Sequence, residues 1–157
     1  MTFASAIARG APLAAHTRAI LQSVGRVHLP GFLNESEARV ILDALATAEW
    51  KLTVNGTVNT YDFKVSDIAA IDVAAREKIL DVVHSHATRG FQFLFDTYRI
   101  SDEYESGALK VGPLAEFFAA MNSAPVLDGL RALTGDSRIA YLDAQATRYR
   151  PGRRGGL

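Results

Sequence analysis

Arg138-Ile139-Ala140-Tyr141-Leu142-Asp143-Ala144-Gln145-Ala146-Thr147-Arg148-Tyr149-Arg150-Pro151-Gly152 is the stretch whose reading decides the fold. It reads as one long β-strand ending at Pro151-Gly152, after which the sequence holds only Arg153-Arg154-Gly155-Gly156-Leu157. Side chains alternate across a strand, so Gln145, Thr147 and Tyr149 share one face, while Ala144, Ala146 and Arg148 share the other. Such a strand needs partners, and these must come from upstream.

Working back toward the amino terminus, Ser123-Ala124-Pro125 starts a helix with a serine cap and proline in its first turn. Val126, Leu127, Leu130 and Leu133 lie on one face of it, and Gly135 stops it. Pro113 to Met121 forms a short helix, and Ser101 to Gly112 is polar and punctuated by glycine, as a loop is. Asp72 caps a long helix in which Val83, Ala87, Phe91, Leu94, Phe95 and Tyr98 recur three or four apart, with Gly90 as its weak point. Trp50 to Val54 and Val58 to Phe63 flank Asn55-Gly56, the pattern of a hairpin with a two-residue turn.

Asn34 followed by Glu37 is a capping-box pattern, and Ala38, Ile41, Leu42 and Leu45 continue one apolar face behind it, giving a helix from Glu35 to Ala48. Arg26-Val27-His28-Leu29-Pro30 alternates as a half-buried strand, closed by Pro30-Gly31. Ahead of it, Leu13, Ile20, Leu21 and Val24 fall at helical spacing up to Gly25. The order is helix, strand, helix, hairpin, three helices, strand. That order implies an α+β fold with helices packed on one side of a mainly antiparallel sheet, in a single domain spanning 1–157 with a flexible basic tail at 151–157.

Composition narrows the chemistry. With 157 residues and 48% hydrophobic positions, the chain is long enough to bury a real core. Seventeen basic residues balance seventeen acidic ones, so no global field draws it to nucleic acid or to an anionic membrane. Without cysteine there is no disulfide, thiolate nucleophile or sulfur-ligated metal site. No apolar run approaches the roughly 18 residues that span a bilayer. From Met1 to Asn34 there is no acid, and Arg9, Arg18 and Arg26 lie among small and apolar residues, a composition shared with transit peptides. The region lacks a continuous hydrophobic stretch for export, and the reading is an amphipathic leading helix in a cytoplasmic protein.

Other constellations carry little. His84 and His86, two apart on a helix, point about 200° away from each other and cannot hold one ion. Asp81 and His84 supply at most two ligands. His16 and His28 have no ligand-type residue close by in sequence, and a partly exposed position is expected for each. Asp102, Glu103 and Glu105 sit in the expected loop, where such charges are solvated. Arg148, Arg150, Arg153 and Arg154 form a basic end that reads as a frayed tail rather than a phosphate-binding arm. No dinucleotide, phosphate-loop or nucleophile-elbow motif occurs.

Asp143 to Gly152 resembles the first core strand of the iron(II)- and 2-oxoglutarate-dependent oxygenases, in the prolyl 4-hydroxylase-like branch. Three further stretches are similar to the same group and stand in the same order: Val27-His28-Leu29-Pro30-Gly31-Phe32-Leu33 before a capped helix, Gly90-Phe91-Gln92-Phe93-Leu94-Phe95-Asp96-Thr97-Tyr98-Arg99, and Leu133-Thr134-Gly135-Asp136. The resemblance implies an incomplete double-stranded β-helix, or jelly roll. It implies Fe(II) held by a His-x-Asp pair and a distant His, and 2-oxoglutarate held by a later basic residue.

Those ligands would follow Gly152, and the sequence has no histidine after His86. The expectation is therefore the amino-terminal portion of such a hydroxylase without its metal site, either a truncated or frameshifted product or a natural half-protein that has lost that site. As an isolated chain it should be inactive and bind neither Fe(II) nor 2-oxoglutarate in the family manner, with no catalytic or metal residue of its own. By the resemblance, the Tyr149 face looks into the 2-oxoglutarate pocket, with Thr147 and Gln145 as neighbours. The alternative is a non-catalytic assembly module that forms a homodimer through open sheet edges, by strand pairing or swapping.

Overall fold

The computed structural model describes residues 15–55, 59–75, 77, 78, 81, 85 and 93–149. The chain divides into two compact units, Met1–Thr47 with Ile100–Ala144 and Ala48–Arg99 with Gln145–Leu157.

The first unit is helical. α1 (Ala15–Val24) ends where Gly25 turns to φ 74°, with the Gly25 N–H donating to the Leu21 carbonyl at 2.8 Å. The expected strand Arg26 to Pro30 does not form. Val27 and Leu29 are half-buried between exposed neighbours, so the alternation is real, but no strand lies alongside to complete a ladder among the described residues. α2 (Glu35–Ala46) starts on the expected capping box. The Glu37 N–H donates to Asn34 Oδ1 at 2.9 Å, and the Asn34 N–H donates to Glu37 Oε2 at 2.8 Å. Leu42, expected on the apolar face, is 60% exposed. The shielded stripe runs instead through buried Glu37 and half-buried Ala38, Ile41 and Leu45.

The expected loop from Ser101 begins as a helix, a one-and-a-half-turn segment over Ile100–Glu105 whose first two residues are buried. Acids at Asp102 and Glu103 suit the positive end of a helix, which a reading of polarity alone misses. Two longer helices follow, Pro113–Met121 and Ala124–Thr134, both with proline in the first turn as expected. Ser123 does not cap through its side chain; its hydroxyl donates back to the Ala120 carbonyl at 2.6 Å. Gly135 closes the second helix at φ 81°. Leu114, Ala115, Phe118, Val126, Leu127 and Leu133 are buried, and Phe118 packs its ring against Tyr104 at 4.6 Å and Tyr141 at 5.9 Å.

The second unit carries the sheet. Its strands are β1 (Lys51–Asn55), β2 (Thr60–Lys64), β3 (Leu94–Arg99) and β4 (Gln145–Arg148), in spatial order β2-β1-β3-β4 with every pairing antiparallel. The protein is thus α+β with an open antiparallel sheet. The hairpin is present, but its last paired residues are Asn55 and Thr60. Four residues separate them, so Asn55 ends the ladder instead of making a two-residue turn. Its side chain accepts the Phe93 N–H at 2.6 Å.

Two corrections concern the strands. The helix expected from Asp72 to Tyr98 starts as read, with Asp72 Oδ1 accepting the Ala75 N–H at 2.8 Å, but Leu94–Arg99 is β3. Leu94, Phe95 and Tyr98 do recur at helical spacing, yet the run is aromatic and β-branched and finds strand partners on both sides. Val83, Ala87 and Phe91 of that helix lie outside the described residues. The closing strand does not begin at Arg138: among the described residues Gln145–Arg148 is the part that pairs, and 150–152 lie outside them.

Leu52, Val54 and Leu94 form the core of this unit, and Val65 and Ile68 pack against them from a six-residue helix, α3 (Val65–Ala70). That helix follows β2 without a break, and the Val65 N–H donates to the Trp50 carbonyl at 2.8 Å.

Candidate functional site

The register places each side chain of the sheet on a face. Leu52 lies opposite Asp96 and Asp96 opposite Arg148, so these three share the face that carries Val54, Leu94 and the α3 contacts. Thr53, Phe95, Thr97 and Thr147 share the other face. The alternation expected for the closing strand holds: Gln145, Thr147 and Tyr149 are exposed, while Ala144, Ala146 and Arg148 are half-buried.

The three candidate cofactor-binding residues therefore stand on one side, spaced by about 6–7 Å per pair of residues along the chain. Gln145 lies opposite Arg99, and Thr147 opposite Thr97. Tyr149 is 70% exposed and its ring lies 5.8 Å from that of Phe95. Phe93 stacks on Phe95 in turn at 5.3 Å, so the three rings form a ladder along the sheet surface. Toward β2 the same face becomes polar. Asp62 accepts the Thr53 hydroxyl at 2.7 Å and pairs with the Arg99 guanidinium at 3.1 Å. Chemically the face offers an amide, hydroxyls and aromatic rings, which suits hydrogen bonding to a small polar ligand.

On the opposite face, the Asp96 side chain is completely shielded and its Oδ2 accepts from Arg148 Nε at 3.0 Å. The Arg148 guanidinium also lies 4.1 Å above the centre of the Trp50 ring, where the negative face of the indole attracts a cation. Arg148 accordingly belongs to the sheet and not to a frayed basic end; Arg150, Arg153 and Arg154 lie outside the described residues. Sequence reading missed Asp96 and Trp50. The available signal was an acid inside the apolar run Phe93 to Tyr98, since such a carboxylate needs a partner.

Glu49 and Asp136 belong to surface ion pairs. Glu49 sits below the usual carboxylate range because Lys64 donates to it from 3.1 Å. Asp136 is likewise lowered by the Arg138 guanidinium and then by the Arg138 backbone N–H. His16 and His28 are exposed, and His84 and His86 lie outside the described residues. Asp102 and Glu105 are exposed on their helix. Among the described residues no group of three or more His, Cys, Asp or Glu is placed to hold a metal ion, and no helix is long and apolar enough to cross a membrane.

No family model, curated protein or solved structure matches the chain.

Proposed function

We propose that this chain is the amino-terminal portion of an iron(II)- and 2-oxoglutarate-dependent oxygenase of the prolyl 4-hydroxylase-like branch, with the Gln145, Thr147 and Tyr149 face forming one wall of the 2-oxoglutarate pocket. The reading rests on the ordered resemblance of the sequence. The observation that carries the site is the alternation along β4, which leaves those three side chains exposed together on one side of an antiparallel sheet. A double-stranded β-helix would extend this sheet and lay a second one over that face.

The described residues do not fit an iron site, so no step is routed through the metal. What this chain's residues do in the proposal is bind and orient. The Thr147 hydroxyl, the Gln145 amide and the Tyr149 phenol offer hydrogen-bond donors to a dicarboxylate, and the Phe95 and Tyr149 rings flank it. Titration of 2-oxoglutarate into the purified chain, followed by the amide shifts of residues 145–149, tests the wall. Contact with this one wall is weaker than binding in the family manner, so shifts are expected only at millimolar 2-oxoglutarate; shifts confined to β4 and its neighbours on that face support the wall, and none at that concentration counts against it. Ferrous-iron-dependent decarboxylation of 2-oxoglutarate by the chain alone would overturn the companion proposal that it is inactive by itself.

A second reading has its own observation. All five residues of β2 are exposed, β2 is an edge of the sheet among the described residues, and Tyr61 and Phe63 stack there 6.4 Å apart while 49% and 41% exposed. Such an edge recruits strands, and a homodimer through β2 would make the chain an assembly module. Sedimentation separates the two readings: a monomer at high concentration removes the second.

A further inference from the structure

We infer that Asp96, Arg148 and Trp50 form a register pin that fixes where edge strand β4 sits on the sheet. Its functional consequence rests on the reading of the Gln145, Thr147 and Tyr149 face given above; the pin itself stands on geometry. β4 has four residues and is paired by β3 on one side, and its inward-facing residue besides Arg148 is Ala146, preceded on the chain by Ala144. Small side chains of equal size specify register weakly, and a one-residue slip would turn every side chain of β4 to the opposite face.

The pin opposes each slip by a definite mechanism. In the observed register Arg148 lies opposite Asp96 and its Nε reaches the shielded carboxylate. A slip of one residue sets Thr147 or Tyr149 there and takes the Arg148 guanidinium away from the shielded carboxylate, a costly change. A slip of two in one direction sets Ala146 there, with the same result. The opposite slip of two would offer Arg150 to Asp96, but it places Pro151 opposite Phe95, and proline has no N–H to give a ladder. Trp50 holds the guanidinium plane from the third side at 4.1 Å. Arg148 is thus a positioning residue for the exposed face, acting through Asp96.

The chain has no cysteine, so introduced thiol pairs read the register directly. Thr97→Cys with Thr147→Cys sets thiols at directly opposite positions, within disulfide reach, while Thr97→Cys with Gln145→Cys or with Tyr149→Cys sets them on the diagonal. In the parent background the first pair should oxidise roughly tenfold faster than either diagonal pair. With Asp96→Leu and Arg148→Met added, which remove the charges at similar volume, that preference should fall below about threefold. An undiminished preference in that background, with circular dichroism unchanged, overturns the pin.

If the double substitution loses the sheet, Arg148→Lys serves instead, because lysine keeps the charge but lacks the planar guanidinium. A lowered preference is expected there too, and an unchanged one overturns the pin. 2-Oxoglutarate titrated into the thiol-free Asp96→Leu/Arg148→Met variant reports on the pocket separately. Absence of binding by the parent chain removes the pocket reading and leaves the register result standing.

Discussion

The Asn122 side chain holds the Leu142 backbone by both of its polar groups: the Leu142 N–H donates to Asn122 Oδ1 at 2.8 Å, and Asn122 Nδ2 donates to the Leu142 carbonyl at 3.1 Å. One amide side chain thus plays the part of a neighbouring strand. Similar substitutions run along the segment. Arg131 Nε donates to the Ile139 carbonyl at 2.7 Å, and the Ala144 N–H donates to the Ser101 hydroxyl at 2.7 Å. Backbone groups of Ile139, Leu142 and Ala144 are thus held by residues of their own helical unit, and strand pairing starts at Gln145.

Asn122→Ala removes both bonds, together with the Nδ2 donation to the Phe118 carbonyl at 3.2 Å, and leaves the part-buried Leu142 N–H and carbonyl seeking partners. A loss of about 1–3 kcal/mol in unfolding free energy is expected by urea denaturation. Asn122→Asp keeps the acceptor and loses the donor, and should fall between the parent and the alanine variant.

The Asp96–Arg148 pair gives opposite outcomes for single and double substitutions. Asp96→Leu alone strands the guanidinium over Trp50, and Arg148→Met alone takes the guanidinium from a fully shielded carboxylate; the latter should cost about 3–5 kcal/mol. The double substitution should recover most of that loss, because well-packed apolar residues replace a desolvated ion pair at little net cost. Denaturant midpoints of the four proteins check the sign, and Trp50, the single tryptophan, reports locally through its emission.

Tyr149 separates packing from recognition. At 70% exposure its main described contact is the Phe95 ring, so Tyr149→Ala should change stability by less than about 1.5 kcal/mol. Under the proposed function the same substitution weakens 2-oxoglutarate binding by about tenfold or more, since a lost hydrogen bond to a charged group is worth roughly 1.5–3 kcal/mol. Thermal melts and a 2-oxoglutarate titration of the same sample compare the two effects.

These residues also show what the sequence makes legible. Capping at Asn34, the proline starts at Pro113 and Pro125 and the stop at Gly135 depend on neighbours three or four residues away, and they were readable as they stand. The alternation of Gln145, Thr147 and Tyr149 was readable for the same reason. β3 was not. Phe93 to Arg99 satisfies a helical spacing and a strand composition together, and the choice between them was made by β1 and β4, which lie far away in sequence. Arg148 looked like one of four tail cations because its partners, 52 residues upstream at Asp96 and further still at Trp50, leave no local mark.

Acid should act on this protein through surface carboxylates whose charged forms are favoured by folding. Glu49 is lowered by hydrogen bonding to Lys64, and Asp136 by hydrogen bonding to Arg138. Each releases its proton more readily folded than unfolded, so each stabilises the fold above its unfolded pKa, about 4.3 for Glu and 3.9 for Asp. That contribution is lost as pH falls through the lower folded values. Both pairs are solvent-exposed, so the effect is small and screened by salt. Carboxyl NMR titration should place both midpoints below those of model peptides, and Asp136→Asn or Glu49→Gln should flatten the stability curve between about pH 5 and pH 3 without changing it near neutrality beyond the loss of the pair. A midpoint at or above the model-peptide value for either residue would show that its pair does not persist in solution.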